Sequence, residues 1–267
     1  MVIGFWSEAA GVGGTTSNMI ITGLTAATEK NKKITLMQGK YDRMRFDYAF
    51  SANQDGNLLK EDYGYYNHPG MDDLIEKHLN DEYQRQDFYD NLVNVNHTSL
   101  CYVPTGARFS EDLFKKKMQL IGKSMIQELK DIEGDVFVEL ECGYQDNTKS
   151  ILDLCDVIVI NMNQAVIRTP GFLQEEHILN KCILLIGRFD SQSRFNLKTI
   201  ARRTGIPENR IGIIPYNIRF QDSMYEGRVL DFMEHRYHMD RHNAEYMFFK
   251  EVFFATELIL RRAEKCE

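Results

Sequence analysis

The sequence predicts an α/β fold: one doubly wound, mostly parallel sheet with helices on both faces. Three observations predict it. "DVFVEL", "DVIVIN" and "CILLIG" are nearly continuous apolar runs, the pattern of strands covered on both sides. Helical stretches separate such runs, so strands and helices alternate along the chain. The first run, "VIGFW", passes through "GVGG" into a helical stretch, and ligands of such sheets bind at the carboxyl ends of strands.

Taken in order, the predicted strands are Val2–Trp6, Lys33–Gln38, Leu100–Val103, Asp135–Leu140, Val157–Asn161, Cys182–Gly187 and Ile211–Ile214. Predicted helices include "TSNMIITGLTAAT" after the glycines, Glu111–Leu129, Ser193–Arg203 and a C-terminal helix at about 240–263. The segment Tyr41–Tyr66 is polar and aromatic without clear periodicity. It reads as a long, partly helical excursion near the ligand edge. The chain of 267 residues, 43% hydrophobic, suits one domain over 1–267.

The glycine stretch reads as a phosphate-binding loop. Thr15, Thr16 and Ser17 open the helix behind Gly11, Val12, Gly13 and Gly14. A helix start presents unpaired amides and a positive dipole end. Small residues before it let a phosphate approach the backbone closely. A hydroxyl of Thr15 or Thr16 is placed to serve magnesium. A dinucleotide fingerprint fits less well: Thr16 stands at the third glycine position, and Gln38 replaces the carboxylate expected after strand two. A tight turn with no ligand is the plain structural alternative.

Composition narrows the function classes. A net charge of -7 and a pI near 5.6 argue against broad nucleic-acid binding. The five cysteines are scattered and make no CxxC pair, so they read as free core thiols in a reducing cytosol. The strand at Val2 leaves no room for a signal peptide, and no apolar run reaches ~18 residues. A cytoplasmic protein is expected. His235, His238 and His242 in "EHRYHMDRH" have metal-like spacing, but a solvated turn is the better reading. The C-terminal helix carries Phe248, Phe249, Phe253 and Phe254, so peripheral membrane contact is open, with packing on the sheet preferred.

With its later motifs included, the chain resembles the MinD/ParA family of deviant P-loop ATPases over nearly its whole length. The family loop K-G-G-x-G-K-T-T corresponds to Ala9, Ala10, Gly11, Val12, Gly13, Gly14, Thr15 and Thr16. The glycines and threonines match, but Ala9 and Gly14 replace both lysines. The motif D-x-D-x-x-x-x-N-x-D corresponds to "QGKYDRMRFD", where Lys40 stands for the presumed catalytic aspartate, Arg45 for the asparagine, and Asp47 survives. In "FVELECG", Glu139 replaces the aspartate of h-h-D-x-P-x-G and Gly143 keeps the glycine. In "LLIGRFD", Gly187 replaces the adenine-contacting asparagine. "GIIPYNIRFQDSMYEGRVL" is well kept, and the resemblance implies adenine-side packing by Pro215 and Tyr216.

"FWSEAAGVGGTTSN", "ITLMQGKYDR" and "IPYNIRFQDSMYEGRVLDF" look most like the TadZ-like proteins of Flp/Tad pilus assembly. The resemblance implies ATP with magnesium at Thr15 and Glu139, a homodimer, and protein partners in a pilus or positioning apparatus. The lost lysines and aspartate imply weak ATP binding with little or no hydrolysis. Lys40 is either a partial replacement for the lost phosphate charge or a plain exposed loop lysine. Two other readings stay open: an active ATPase with rerouted chemistry, and a nucleotide-free interaction module with a vestigial loop.

Overall fold

The computed structural model describes residues 1–41, 45–51, 70–106, 108–165, 175–236 and 245–264. Its strands are β1 (Val2–Trp6), β2 (Ile34–Gln38), β3 (Val93–Asn94), β4 (Leu100–Tyr102), β5 (Asp135–Glu139), β6 (Val157–Met162), β7 (Cys182–Phe189) and β8 (Ile211–Pro215). Its α-helices are α1 (Thr15–Glu29), α2 (Met71–Leu79), α3 (Arg85–Asp90), α4 (Glu111–Leu129), α5 (Asp146–Leu154), α6 (Glu176–Lys181), α7 (Leu197–Thr204), α8 (Ile218–Tyr225), α9 (Val229–His235) and α10 (Tyr246–Glu264). The strands form an eight-stranded sheet in the order β3-β4-β2-β5-β1-β6-β7-β8. Every pairing is parallel except β3 with β4.

β1 lies in the interior of the sheet, with Phe5 level with Glu139 of β5 and Val159 of β6. All of its residues are buried. Side chains alternate between the two faces of a strand, and the core divides accordingly. Trp6, Val138, Ile160 and Leu184 enter one layer, and Phe5, Phe137, Val159 and Leu185 the other. A continuous apolar strand is what two such layers require.

α1 explains how the loop before it is held. Asn18 to Ala27 are all buried, so this helix is enclosed rather than amphipathic. Its polar positions stay satisfied locally: Thr22 Oγ1 donates to the Asn18 carbonyl at 2.7 Å and Thr25 Oγ1 to that of Ile21 at 2.8 Å. Gly23 lets the helix approach β2, since a Cβ there would stand 2.7 Å from a methyl of Leu36. α10 covers the outer side of this layer through Phe248, Val252, Ala255 and Ile259, all buried. Phe248 packs on Phe220 and Phe232 with ring centroids 5.5 and 5.7 Å apart. The preferred packing of the C-terminal helix is therefore what the fold adopts, and no described helix is long and apolar enough to cross a membrane.

Departures from the sequence reading are local. The Val93–Asn94 strand is too short to show a period. Helix Ser193–Arg203 begins only at Leu197, because the Asn196 side chain accepts from the Thr199 amide at 3.0 Å and caps it there. Of the predicted excursion, the described part is a short 3₁₀ helix at Phe46–Phe50, and 42–44 and 52–69 lie outside the described residues. So do His238, His242, Cys266 and the start of the C-terminal helix. Among the described residues no cluster of metal-ligating side chains occurs.

Phe248→Ala is expected to lower the unfolding free energy by about 3–5 kcal/mol. Phe254→Ala, on the exposed side of the same helix at 50% accessibility, should cost about 0.5 kcal/mol or less. Urea unfolding of both variants checks this. Equal, small losses would show that α10 is not part of the core.

Candidate functional site

The loop between β1 and α1 lies at the carboxyl edge of the sheet. Gly11, Gly13 and Gly14 have φ of 72°, 78° and 67°, the left-handed region that glycine enters without penalty. Two contacts press the loop onto the sheet. A Cβ on Gly13 would stand 2.7 Å from the Met162 amide nitrogen, and one on Gly187 would overlap the Gly13 carbonyl oxygen. Buried Asn18 then ties the loop down. Its Nδ2 donates to the Gly13 carbonyl at 2.8 Å and to Asn161 Oδ1 at 2.9 Å. Asn161 Nδ2 in turn donates to the Trp6 and Val159 carbonyls. Gly187 is thus explained by space: the asparagine of the resembled motif has no room beside Gly13.

The amides from Gly11 to Thr16 make no backbone hydrogen bond of good geometry outside the helix itself among the described residues. They border a cleft of about 590 Å³. Gly11, Val12, Gly14, Thr15, Thr16 and Lys40 line it, and Gly13, buried, forms the floor of the loop behind them. The Phe46–Phe50 helix closes one side through Tyr48 and Ala49, while Gln221, Met224 and Tyr225 close another. Pro215 and Tyr216 are not in that lining; Tyr216 is 54% exposed and its amide donates to the Phe189 carbonyl. Of α8, Met224 and Tyr225 bring apolar surface to the lining.

Glu139, at the end of β5, is completely buried beneath the loop. Its Oε1 accepts from Thr16 Oγ1 at 2.7 Å and lies 3.0 Å from Lys40 Nζ. Its Oε2 accepts from Gln38 Nε2 at 3.1 Å, and Gln38 Oε1 accepts from Thr105 Oγ1 at 3.1 Å. Burial pushes the Glu139 carboxyl above its ordinary range, while the Lys40 charge and the donors from Thr16, Lys40 and Gln38 pull the other way. The geometry is that of the ionised form, because both oxygens are occupied by donors. Lys40 is accordingly not a free surface lysine: its side chain is 21% exposed and turned inward.

The remaining charges of the cleft are largely committed. Arg45 holds Asp47 at 2.6 Å, and Lys115 holds Glu111 at 2.8 Å. Arg188 differs. It is exposed, lines the cleft, and its side chain makes no ion pair or hydrogen bond among the described residues. Its φ of 51° is left-handed, a conformation that strains a side chain with a Cβ. Sequence reasoning passed over Arg188; its position directly after Gly187 in "LLIGRFD" was the available signal. Cys142 also lines the cleft, but burial and the neighbouring Glu141 push its thiol up, which makes it a poor nucleophile.

No protein-family model and no curated protein matches the chain in sequence. Solved structures do match in shape. The chain is similar to the cell division ATPase MinD of Pyrococcus furiosus over 97% of its own length and 98% of that chain, with TM-score 0.66 and 14% identity. A ParA family ATPase from Chlorobium tepidum matches over 98% of each chain, with TM-score 0.61 and 16% identity. MinD of Pyrococcus horikoshii, complexed with Mg-ADP, matches over 100% of this chain and 95% of that one, with TM-score 0.58 and 12% identity. These likenesses establish the fold as that of MinD/ParA-type P-loop ATPases.

The buried pair has a thermodynamic consequence. Lys40→Met leaves the Glu139 carboxylate uncompensated and is expected to cost about 3 kcal/mol. Adding Glu139→Gln should recover most of that loss. A double-mutant cycle by denaturant unfolding measures it, and a coupling of about 0.3 kcal/mol or less would show the pair to be independent.

Proposed function

We propose that this protein is a MinD/ParA-like switch or scaffold that binds a nucleotide through its glycine loop and turns it over slowly or not at all. The observation that carries the reading is the glycine loop and helix start, where Gly11, Val12, Gly14, Thr15 and Thr16 line a cleft at the sheet's carboxyl edge. A helix start with open amides fits the β- and γ-phosphates of ATP without help from a lysine side chain. Thr15, Thr16, Lys40 and Arg188 border the same space. The nucleotide is ATP in this reading. Pro215 and Tyr216, given a base-packing role by the sequence motifs, stand outside the cleft lining, and Met224 and Tyr225 are better placed to take the base.

Slow turnover follows from what the loop lacks. Phosphoryl transfer is chiefly positioning and charge stabilisation. Ala9 and Gly14 carry no charge, and Lys40, in place of a water-orienting carboxylate, is bound to Glu139. Each missing group removes about two to three orders of magnitude in rate. The output is then a conformational or assembly state rather than a product. By resemblance, the assembly is a homodimer that positions or builds a larger machine, the Flp/Tad pilus being the one its sequence stretches favour. The chain acts in the cytoplasm, with any membrane contact peripheral.

Calorimetry on the full chain should detect ATP at an affinity about ten- to a hundredfold below that of a lysine-bearing loop. Steady-state phosphate release should stay at background. Turnover at ordinary ATPase rates that disappears in Thr15→Ala would establish rerouted catalysis instead. Absence of binding would leave the nucleotide-free interaction module.

Restoring the lysine tests the loop. Gly14 has φ 67°, and an L-residue there is strained by about 1–2 kcal/mol in the free and the bound protein alike. A hydrogen bond from the new ammonium to a phosphate is worth about 1.5–3 kcal/mol. Gly14→Lys should therefore tighten ATP binding by about ten- to a hundredfold while lowering thermal stability. No gain in a folded Gly14→Lys variant would show that the loop does not grip a phosphate in this geometry.

A further inference from the structure

The resembled family and the Mg-ADP complex of the P. horikoshii protein raise the question of a divalent cation. The residues here do not fit one. The candidate donors were the Thr15 hydroxyl and the Glu139 carboxylate. Glu139 is the carboxylate beneath the loop, and Oε1, the oxygen facing Thr16, already accepts from Thr16 Oγ1 at 2.7 Å and holds Lys40 Nζ at 3.0 Å. Oε2 is taken by Gln38 Nε2, which is fixed by Thr105. A carboxylate offers about four acceptor positions, and those on the loop side are filled. A dication approaching Oε1 would meet the Lys40 ammonium at ion-pair distance. To enter, it must displace that ammonium and break the buried Lys40–Glu139 ion pair. Among the described residues no other group of acidic, histidine or cysteine side chains is gathered to hold a metal.

We infer that this loop takes the phosphates of a nucleotide without a divalent cation, and that the Lys40 ammonium, fixed on Glu139, occupies the electrostatic place of the metal. The inference rests on the nucleotide-binding reading above. It adds which charge faces the ligand. Lys40 and the Thr16 hydroxyl share one carboxylate oxygen, so the ammonium lies beside the helix start whose amides are open. It lines the cleft there with Arg188. A pre-placed ammonium needs no cofactor and no dehydration of an ion. Being half neutralised by Glu139, it attracts the ligand less than a free cation would. Metal-free ATP, the more highly charged species, is then the preferred ligand over its magnesium complex.

Titration calorimetry with ATP, in excess magnesium and in excess EDTA, tests this on the full chain. Binding in EDTA as tight as in magnesium, or tighter, is the expected result. Glu139→Gln removes the charge that neutralises Lys40 and should tighten binding in EDTA by about tenfold. Lys40→Met in the Glu139→Gln background, which leaves no buried charge unpaired, should abolish that increase. Binding that requires magnesium and vanishes in EDTA would overturn the inference and leave the nucleotide reading intact. Equal affinity in Glu139→Gln and in the double variant would also overturn it, since Lys40 would then contribute nothing. Failure of the wild type and of both variants to bind under either condition would remove the nucleotide reading and this inference with it.

Discussion

A carboxylate buried under the glycine loop has to be neutralised by something, and the rest of the site follows from what does it. Glu139 is inaccessible to solvent, and both of its oxygens accept from donors. An isolated charge in that position would cost several kcal/mol. Lys40 supplies the opposite charge, and Thr16 and Gln38 supply the hydrogen bonds. The identities at 38, 40, 105 and 139 therefore form one interlocking set. A glutamate reaches further than an aspartate, which brings its carboxylate up to the hydroxyl of Thr16. A glutamine at 38 can donate to Glu139 and accept from Thr105, where a carboxylate would only repel. Taken one at a time, these are losses from a family motif; taken together, they are compensating replacements.

The loop obeys the same logic of substitution in pairs. With glycine at 14 the helix begins from a left-handed residue, and Ser17 Oγ and the Asn18 amide both donate to its carbonyl at 2.9 Å. With glycine at 187 the loop settles against the end of β7, which no larger residue permits. Asn18 and Asn161 then fix Gly13 from the helix and from β6. Three secondary-structure elements hold the loop, so its amides are pre-positioned rather than free to collapse into one another. Rigid placement of donors is what anion binding needs when no side-chain cation grips the ligand directly.

The strands were legible because parallel sheets impose continuous apolar runs, and β1 and α4 match their sequence-read limits. Edges were less so. Leu197 opens its helix because of Asn196, a capping contact that periodicity does not reveal. For the site, the glycines and the threonines behind them marked the loop that lines the cleft, and the motif departures marked Lys40 and Glu139 as unusual. What they could not show was the pairing of Lys40 with Glu139. The two are about a hundred positions apart in sequence and meet only because β2 and β5 are neighbours, with Gln38 level with Glu139. Arg188 was missed for a related reason. A single arginine has no pattern, and its prominence comes from backbone geometry and from facing the cleft.

On the proposed function, charge would account for a division between binding and turnover. In a phosphoryl-transfer site, positive charge must increase its hold as charge builds up in the transition state. An ammonium already bound to a buried carboxylate is restrained from moving toward the reacting phosphate, since doing so exposes Glu139 as an unpaired buried charge. Its attraction for ground state and transition state is then nearly equal, and uniform attraction lowers the dissociation constant without raising the rate. In the proposed reading, this pair would make the cleft better suited to retaining a nucleotide than to hydrolysing it. A protein whose output is an assembled state benefits from that, because the bound state persists for as long as the ligand does.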